Sequence, residues 1–166
     1  MRCGVTEILI IGYGNELRGD DGIGPRVTEA IAAANHPGVR VRAVCQLVPE
    51  LAMELAEARM AIFVDAIADP DRITVELAPV GAEGITNWCT HTADPRTLLA
   101  LARSVYGRAP EAWWLMVPGL NFDLGEGLSS VAEEGVRQAV AHVKGLIQMK
   151  MRCRPSAGEK TCTNGA

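Results

Sequence analysis

The sequence predicts an α/β fold: a three-layer α/β/α sandwich around a mostly parallel, twisted five-stranded sheet. Three observations lead there. Short apolar, β-branched runs alternate with segments of helical periodicity. That alternation implies parallel pairing through right-handed crossovers. A chain of 166 residues, 48% of them hydrophobic, can also bury one sizeable core without disulfides or a structural metal.

Each element has its own justification. Glu7 to Gly12 reads as a buried strand, apolar and stopped by glycine. Residues 22–34 place Ile23, Val27 and Ile31 on one helical face, with Pro25 tolerated in a first turn and Asp21 or Gly24 as candidate caps. Asn35-His36-Pro37-Gly38 breaks that helix, and residues 39–44 form a second strand. Residues 49–58 follow as a helix with Leu51, Leu55 and Ala58 inward, then residues 60–64 as a third strand. Residues 73–80 alternate as a fourth strand, expected at a sheet edge. A helix begins at Pro95 and runs to 105, residues 113–117 make the last strand, and residues 128–149 a long closing helix. The domain is thus expected to span residues 1–149. Residues 150–166 turn small and polar, with Pro155, Gly158 and Gly165, and are expected to be a disordered tail.

Bulk properties narrow the function. A formal charge of −4 argues against a nucleic-acid surface, which needs a basic stripe. No run approaches the ~20 apolar residues that cross a bilayer, and the first residues lack the pattern of a signal peptide. The five cysteines, Cys3, Cys45, Cys89, Cys153 and Cys162, show no C-x-x-C spacing. A cytoplasmic, monomeric protein with reduced thiols, without a nucleic-acid or membrane partner, is the expectation.

In open α/β sheets, ligands gather beyond the carboxyl ends of the strands. The loop after the first strand runs Gly12-Tyr13-Gly14-Asn15-Glu16-Leu17-Arg18-Gly19-Asp20-Asp21-Gly22-Ile23-Gly24. As a dinucleotide fingerprint it fails, because Leu17 stands where a third glycine belongs. Two acids just before a helix would also repel a pyrophosphate. A cation fits better. Asp21, Asp65 after the third strand and His91 from a long loop form a mixed oxygen and nitrogen set that suits nickel, zinc, manganese or iron.

Blander readings compete. An acid ahead of a helix is commonly its N-cap, a strong reading for Asp20 and a respectable one for Asp21. His36 in its turn reads as a local hydrogen-bonding group, His142 as a solvated helix residue and Cys45 as buried. Cys89 lies two residues from His91 without an evident activating partner, and Glu16 has no obvious partner. Ser104, Ser129 and Ser130 fall on helical stretches and no G-x-S-x-G elbow exists, which disfavours a serine triad.

At these residues the sequence resembles the hydrogenase maturation endopeptidases. The likeness runs from about Ile8 to about Val143. Its most specific part is Gly12-x-Gly14-Asn15-x-Leu17-x-x-Asp20-Asp21-Gly22-x-Gly24. Phe63-Val64-Asp65-Ala66 follows, then His91 with Pro95 and Leu98-Leu99, then Pro118-Gly119 and Leu128-Ser129. The resemblance implies a twisted sheet flanked by helices and an endopeptidase that removes a C-terminal extension from the large-subunit precursor of a nickel-iron hydrogenase. It assigns metal contact and catalysis to Asp21, Asp65 and His91, with nickel already lodged in the precursor as the recognition element; another divalent metal would suit the same donors. The stretch Val44-Cys45-Gln46-Leu47-Val48-Pro49-Glu50-Leu51 replaces the Asp and glycine-rich turn of many members. It is more similar to the members serving NAD-reducing bidirectional hydrogenases. A non-hydrolytic nickel-binding chaperone is the alternative, since the site has no unmistakable nucleophile.

Overall fold

Six consecutive residues, Ile8–Tyr13, are buried on both sides and form β1. A strand in the middle of a parallel sheet is covered on two faces, so its sequence is a continuous apolar run and not an alternating one. The structure is a computed structural model and describes residues 7–69, 71–81 and 94–152. The elements that follow β1 are a 3-10 turn at Gly19–Gly22, α1 (Ile23–Ala33), β2 (Val39–Val44), α2 (Leu51–Glu57), β3 (Met60–Ile67), β4 (Glu76–Val80), α3 (Pro95–Tyr106), β5 (Glu111–Pro118) and α4 (Ser130–Arg152).

The sheet has five strands in the order β2-β1-β3-β5-β4. All pairs are parallel except β4 with β5. Side chains alternate between faces along each strand. Ile8 and Ile10 pack with Ile23, Val27 and Ile31 of α1 and with Ala139, Val143 and Ile147 of α4. Leu9, Ile11 and Tyr13 face the other way, onto Leu51 and Leu55 of α2 and Leu98 and Leu99 of α3. Two apolar layers on one sheet give the three-layer sandwich expected from the sequence.

Local chemistry sets the boundaries. Asp94 caps α3 by accepting from the Arg96 amide at 2.8 Å, Pro95 occupies the first turn, and Gly107 closes the helix at φ 76°. β4 starts at Glu76, three residues later than the sequence suggested, and Ile73 stands outside it with 84% of its surface exposed. Pro79 is compatible with β4 because an edge strand has one side free of ladder bonds. α4 continues to Arg152, so the first three positions of the expected tail are helical; Leu146 and Ile147 anchor that turn in the core. Leu128 and Ser129 lie before α4, where the Ser129 hydroxyl accepts from the Ala132 amide at 3.2 Å. Cys45 is exposed, contrary to the sequence reading, because it leaves an edge strand for a surface connection.

Candidate active site

β1 has β2 on one side and β3 on the other. The chain therefore reverses its direction of winding at β1, and the crevice beyond the carboxyl ends of β1 and β3 is the topological switch point where such folds bind ligands. Both acids expected from the sequence are there.

Three glycines bring the first of them in. A Cβ on Gly12 would fall 2.1 Å from the carbonyl oxygen of Gly24, and one on Gly24 would fall 2.4 Å from the Tyr13 oxygen and 2.9 Å from that of Val64. Only bare backbone allows α1 to start so close against β1 and β3, far inside any real side-chain contact. Gly14 has φ +136°, and a Cβ there would overlap the Asp21 carbonyl at 1.9 Å. The loop folds back tightly, and the Asn15 amide donates to Asp21 Oδ2 at 2.8 Å.

The neighbouring acids then diverge. Neither caps α1: the residue at that position is Gly22, without a side-chain cap. Asp20 is fully buried. Its Oδ2 accepts from the Leu120 amide at 2.7 Å, the Asn121 amide at 3.0 Å and the Ser129 hydroxyl at 2.7 Å; Oδ1 accepts from the Ser129 amide at 2.7 Å. Burial raises its pKa, but the four donors outweigh burial and hold the carboxyl below the usual carboxylate range. Asp20 is thus a bolt between the β1–α1 loop and the β5–α4 loop. Asp21 in the same turn stays half-buried.

Asp65 lies within β3, not after it, paired in register with Met116 of β5. Tyr13 extends the Gly12–Val64 register, and its hydroxyl donates to Asp65 Oδ2 at 2.8 Å. Burial pushes the Asp65 carboxyl up to about 6, the Tyr13 bond offsets part of that, and the charge of Asp21 adds to the rise. Tyr13 is raised far above the phenol range, by burial first and by the Asp65 charge second, with Asp94 contributing. Trp114 flanks the pair from β5. Its indole N–H is near enough to lower both groups, yet Nε1 is buried without a hydrogen bond of full geometry.

His91 and Cys89 lie outside the described residues, and no cluster of three metal-ligating side chains occurs among those that are described. Asp21 and Asp65 are thus two of the three expected ligands. His36 Nε2 is buried without the hydrogen bond expected of it, and His142 is exposed. A cleft of about 300 Å³ is lined by Glu16, Leu17, Gly19, Arg26 and Glu126, but by neither Asp21 nor Asp65. Tyr13 and Trp114 went unread in the sequence. The available signal was an aromatic with a polar tip at the end of an otherwise aliphatic buried strand.

The class defined by this geometry is a doubly wound α/β protein with two carboxylates at its switch point. No protein-family model and no curated protein sequence matches the chain. Solved structures do share its fold. The hydrogenase maturating endopeptidase HybD from E. coli superposes with a TM-score of 0.68 at 22% identity, over 86% of this chain and 93% of that one. The [NiFe] hydrogenase maturation protease HycI from Thermococcus kodakarensis gives 0.68 at 23% identity, over 88% and 95%. The hydrogenase 2 maturation peptidase from a Thaumarchaeota archaeon gives 0.64 at 22%, over 85% and 97%.

Proposed function

We propose that the chain is an endopeptidase that removes the C-terminal extension from the nickel-loaded large-subunit precursor of a nickel-iron hydrogenase. The observation that carries this reading is that Asp21 lies in the turn after β1 and Asp65 towards the carboxyl end of the adjacent β3, where the charge of Asp21 contributes to the rise of the Asp65 carboxyl. The fold shared with hydrogenase maturation peptidases supports it, over nearly the whole length of those chains. His91, from the loop that precedes Asp94 in the sequence, is the proposed third member.

Nickel enters this reading as part of the substrate. Oxygen donors from Asp21 and Asp65 with an imidazole from His91 suit a divalent first-row metal whose other positions the precursor fills. Contact with that metal fixes the precursor so that its scissile bond lies over the carboxylates, and such positioning supplies much of the rate. A carboxylate takes a proton from water as the water oxygen adds to the peptide carbonyl. The C–N bond then breaks, and the proton passes to the leaving amine. Exposed Leu17, Leu120 and Leu124 on the two bolted loops offer apolar surface for a protein substrate. No helix among the described residues is long and apolar enough to cross a membrane. We place the reaction in the cytoplasm, with the enzyme acting as a monomer.

The test is the intact mass of a nickel-loaded precursor before and after incubation with the protein. Loss of a discrete C-terminal peptide, absent with nickel-free precursor and with Asp21→Ala, Asp65→Ala and His91→Ala, is expected. Full cleavage by any of those three variants removes that residue from the mechanism. An unchanged precursor mass favours a nickel-binding chaperone instead.

A further inference from the structure

We propose that Tyr13 and Trp114 position Asp65 from the two strands that flank it, as a pair of aromatic donors built into the floor of the site. β3 lies between β1 and β5. Tyr13 projects from β1 on the α2/α3 face of the sheet, and Trp114 packs against that same layer from β5. Phe63 pairs with Trp114, so Asp65 is the diagonal neighbour of the indole on the same face. The carboxylate thus has a phenol on one side and an indole N–H on the other.

Packing alone does not account for this arrangement. A buried tyrosine hydroxyl needs an acceptor, but a backbone carbonyl would serve. Here it takes a carboxylate oxygen at 2.8 Å in a layer otherwise built from Leu9, Ile11, Leu55, Phe63 and Leu99. An acid there costs desolvation, and an apolar residue of similar size would be more stable. Its retention makes sense if Asp65 must present one oxygen to a ligand in a fixed direction. Tyr13 occupies Oδ2, and the Ala66 backbone N–H is a further donor to the carboxylate, so its direction is set from the strand as well as from the phenol. The Trp114 N–H is buried beside it and unsatisfied, a donor in reserve for the carboxylate when the ligand draws it across. Groups that orient a ligating carboxylate typically set metal affinity by ~10–100-fold.

The inference rests on the proposed metal-contacting role of Asp65, and the experiment separates the two. Binding of free Ni²⁺ to wild type, Tyr13→Phe, Trp114→Phe and Asp65→Ala is measured by calorimetry, with melting temperature and precursor processing in parallel. Tyr13→Phe is expected to bind Ni²⁺ about tenfold or more weakly and to process precursor more slowly, whatever the lost hydrogen bond costs in melting temperature. A structural role alone would lower the melting temperature and leave the affinity intact. Wild-type affinity and processing in Tyr13→Phe, alongside loss of both in Asp65→Ala, overturns the positioning role and leaves the site reading standing. Wild-type affinity in Asp65→Ala overturns the site reading and the positioning role with it. Should Tyr13→Phe fail to fold, Trp114→Phe decides: weakened binding supports the cradle, and unchanged binding overturns it.

Discussion

Replacing Asp20 by asparagine tests whether the bolt between the two loops is as strong as its geometry requires. The carboxylate accepts four hydrogen bonds, three at 2.7 Å and one at 3.0 Å, with no exposed surface. An amide has one acceptor oxygen. If that oxygen takes the place of Oδ2, three bonds survive as neutral ones and the NH₂ group meets the Ser129 amide, donor against donor. One hydrogen bond to a charged group is lost, at ~1.5–3 kcal/mol, and a buried donor is left without a partner, at ~1–3 kcal/mol. Weakening of the remaining three adds to this, so about 4 kcal/mol is expected, a large part of the ~5–15 kcal/mol that holds a typical domain together. In a chain of this size each kcal/mol moves the melting temperature by ~2–4 °C, giving a fall of roughly 8–16 °C.

Urea unfolding at pH 7, followed by tryptophan fluorescence and circular dichroism, reads the difference directly. Because the folded-state pKa of Asp20 is depressed, its contribution is present above the unfolded value near ~3.9 and is lost as pH falls towards the folded value. The deficit of Asp20→Asn should therefore narrow at pH 3. Ser129→Ala removes one donor to Asp20 and the cap of α4 together, and should cost about 1–2 kcal/mol. Combined with Asp20→Asn it should cost less than the sum, since the two share a network. A loss under about 1 kcal/mol for Asp20→Asn would refute the bolt, because no single bond in that set is worth so little to a buried carboxylate.

Three other outcomes follow from the same structure. Asp65 has a folded pKa of about 6, so below the unfolded value both states hold the proton and above 6 the folded state carries the whole cost. Asp65→Asn should accordingly stabilise the metal-free protein by roughly 3 kcal/mol at pH 8 and by about half that at pH 5, as measured by urea midpoints; equal destabilisation at both would contradict the burial argument. Gly24→Ala puts a methyl 2.4 Å from the Tyr13 carbonyl, and soluble yield should collapse or melting drop by ~10 °C or more. Truncation after Arg152 should leave the melting temperature and precursor processing unchanged, while a cut that also removes Leu146 and Ile147 should abolish folding.

The fold was legible because each layer announced itself locally. β1 and residues 60–64 of β3 are unbroken apolar runs, α1 carries Ile23, Val27 and Ile31 at helical spacing, and α3 has both Pro95 at its start and Gly107 after its end. What the sequence could not carry was anything decided by a long-range partner. β3 runs on to Ile67, past its last fully buried residue at Val64, because β5 pairs with it as far as Pro118. α4 passes beyond 149 because Leu146 and Ile147 pack beneath it, a fact of the α1 and sheet surfaces and not of the helix itself.

The adjacent acids show the same limit at the level of the site. Read locally, Asp20 and Asp21 are equivalent: consecutive carboxylates before a helix, either one a plausible cap. Their roles separate only because successive residues in a tight turn point in different directions, one into the protein and one outward. The inward position meets the amides of Leu120, Asn121 and Ser129, about a hundred residues away in the chain, and these donors make ionised aspartate the fitting residue. The outward position accepts from the Asn15 amide, and its charge contributes to the rise of the Asp65 carboxyl. A fixed Asp20 is what allows Asp21 to be aimed, since the turn carrying both is tied at Gly14 on one side and at the β5–α4 loop on the other. It follows that a damaged Asp20 should impair processing even at temperatures where the variant is fully folded, with the defect growing as the loops loosen. Neutral Asn at the bolt and neutral Asn at position 21 should then be distinguishable: the first lowers stability and activity together, the second activity alone.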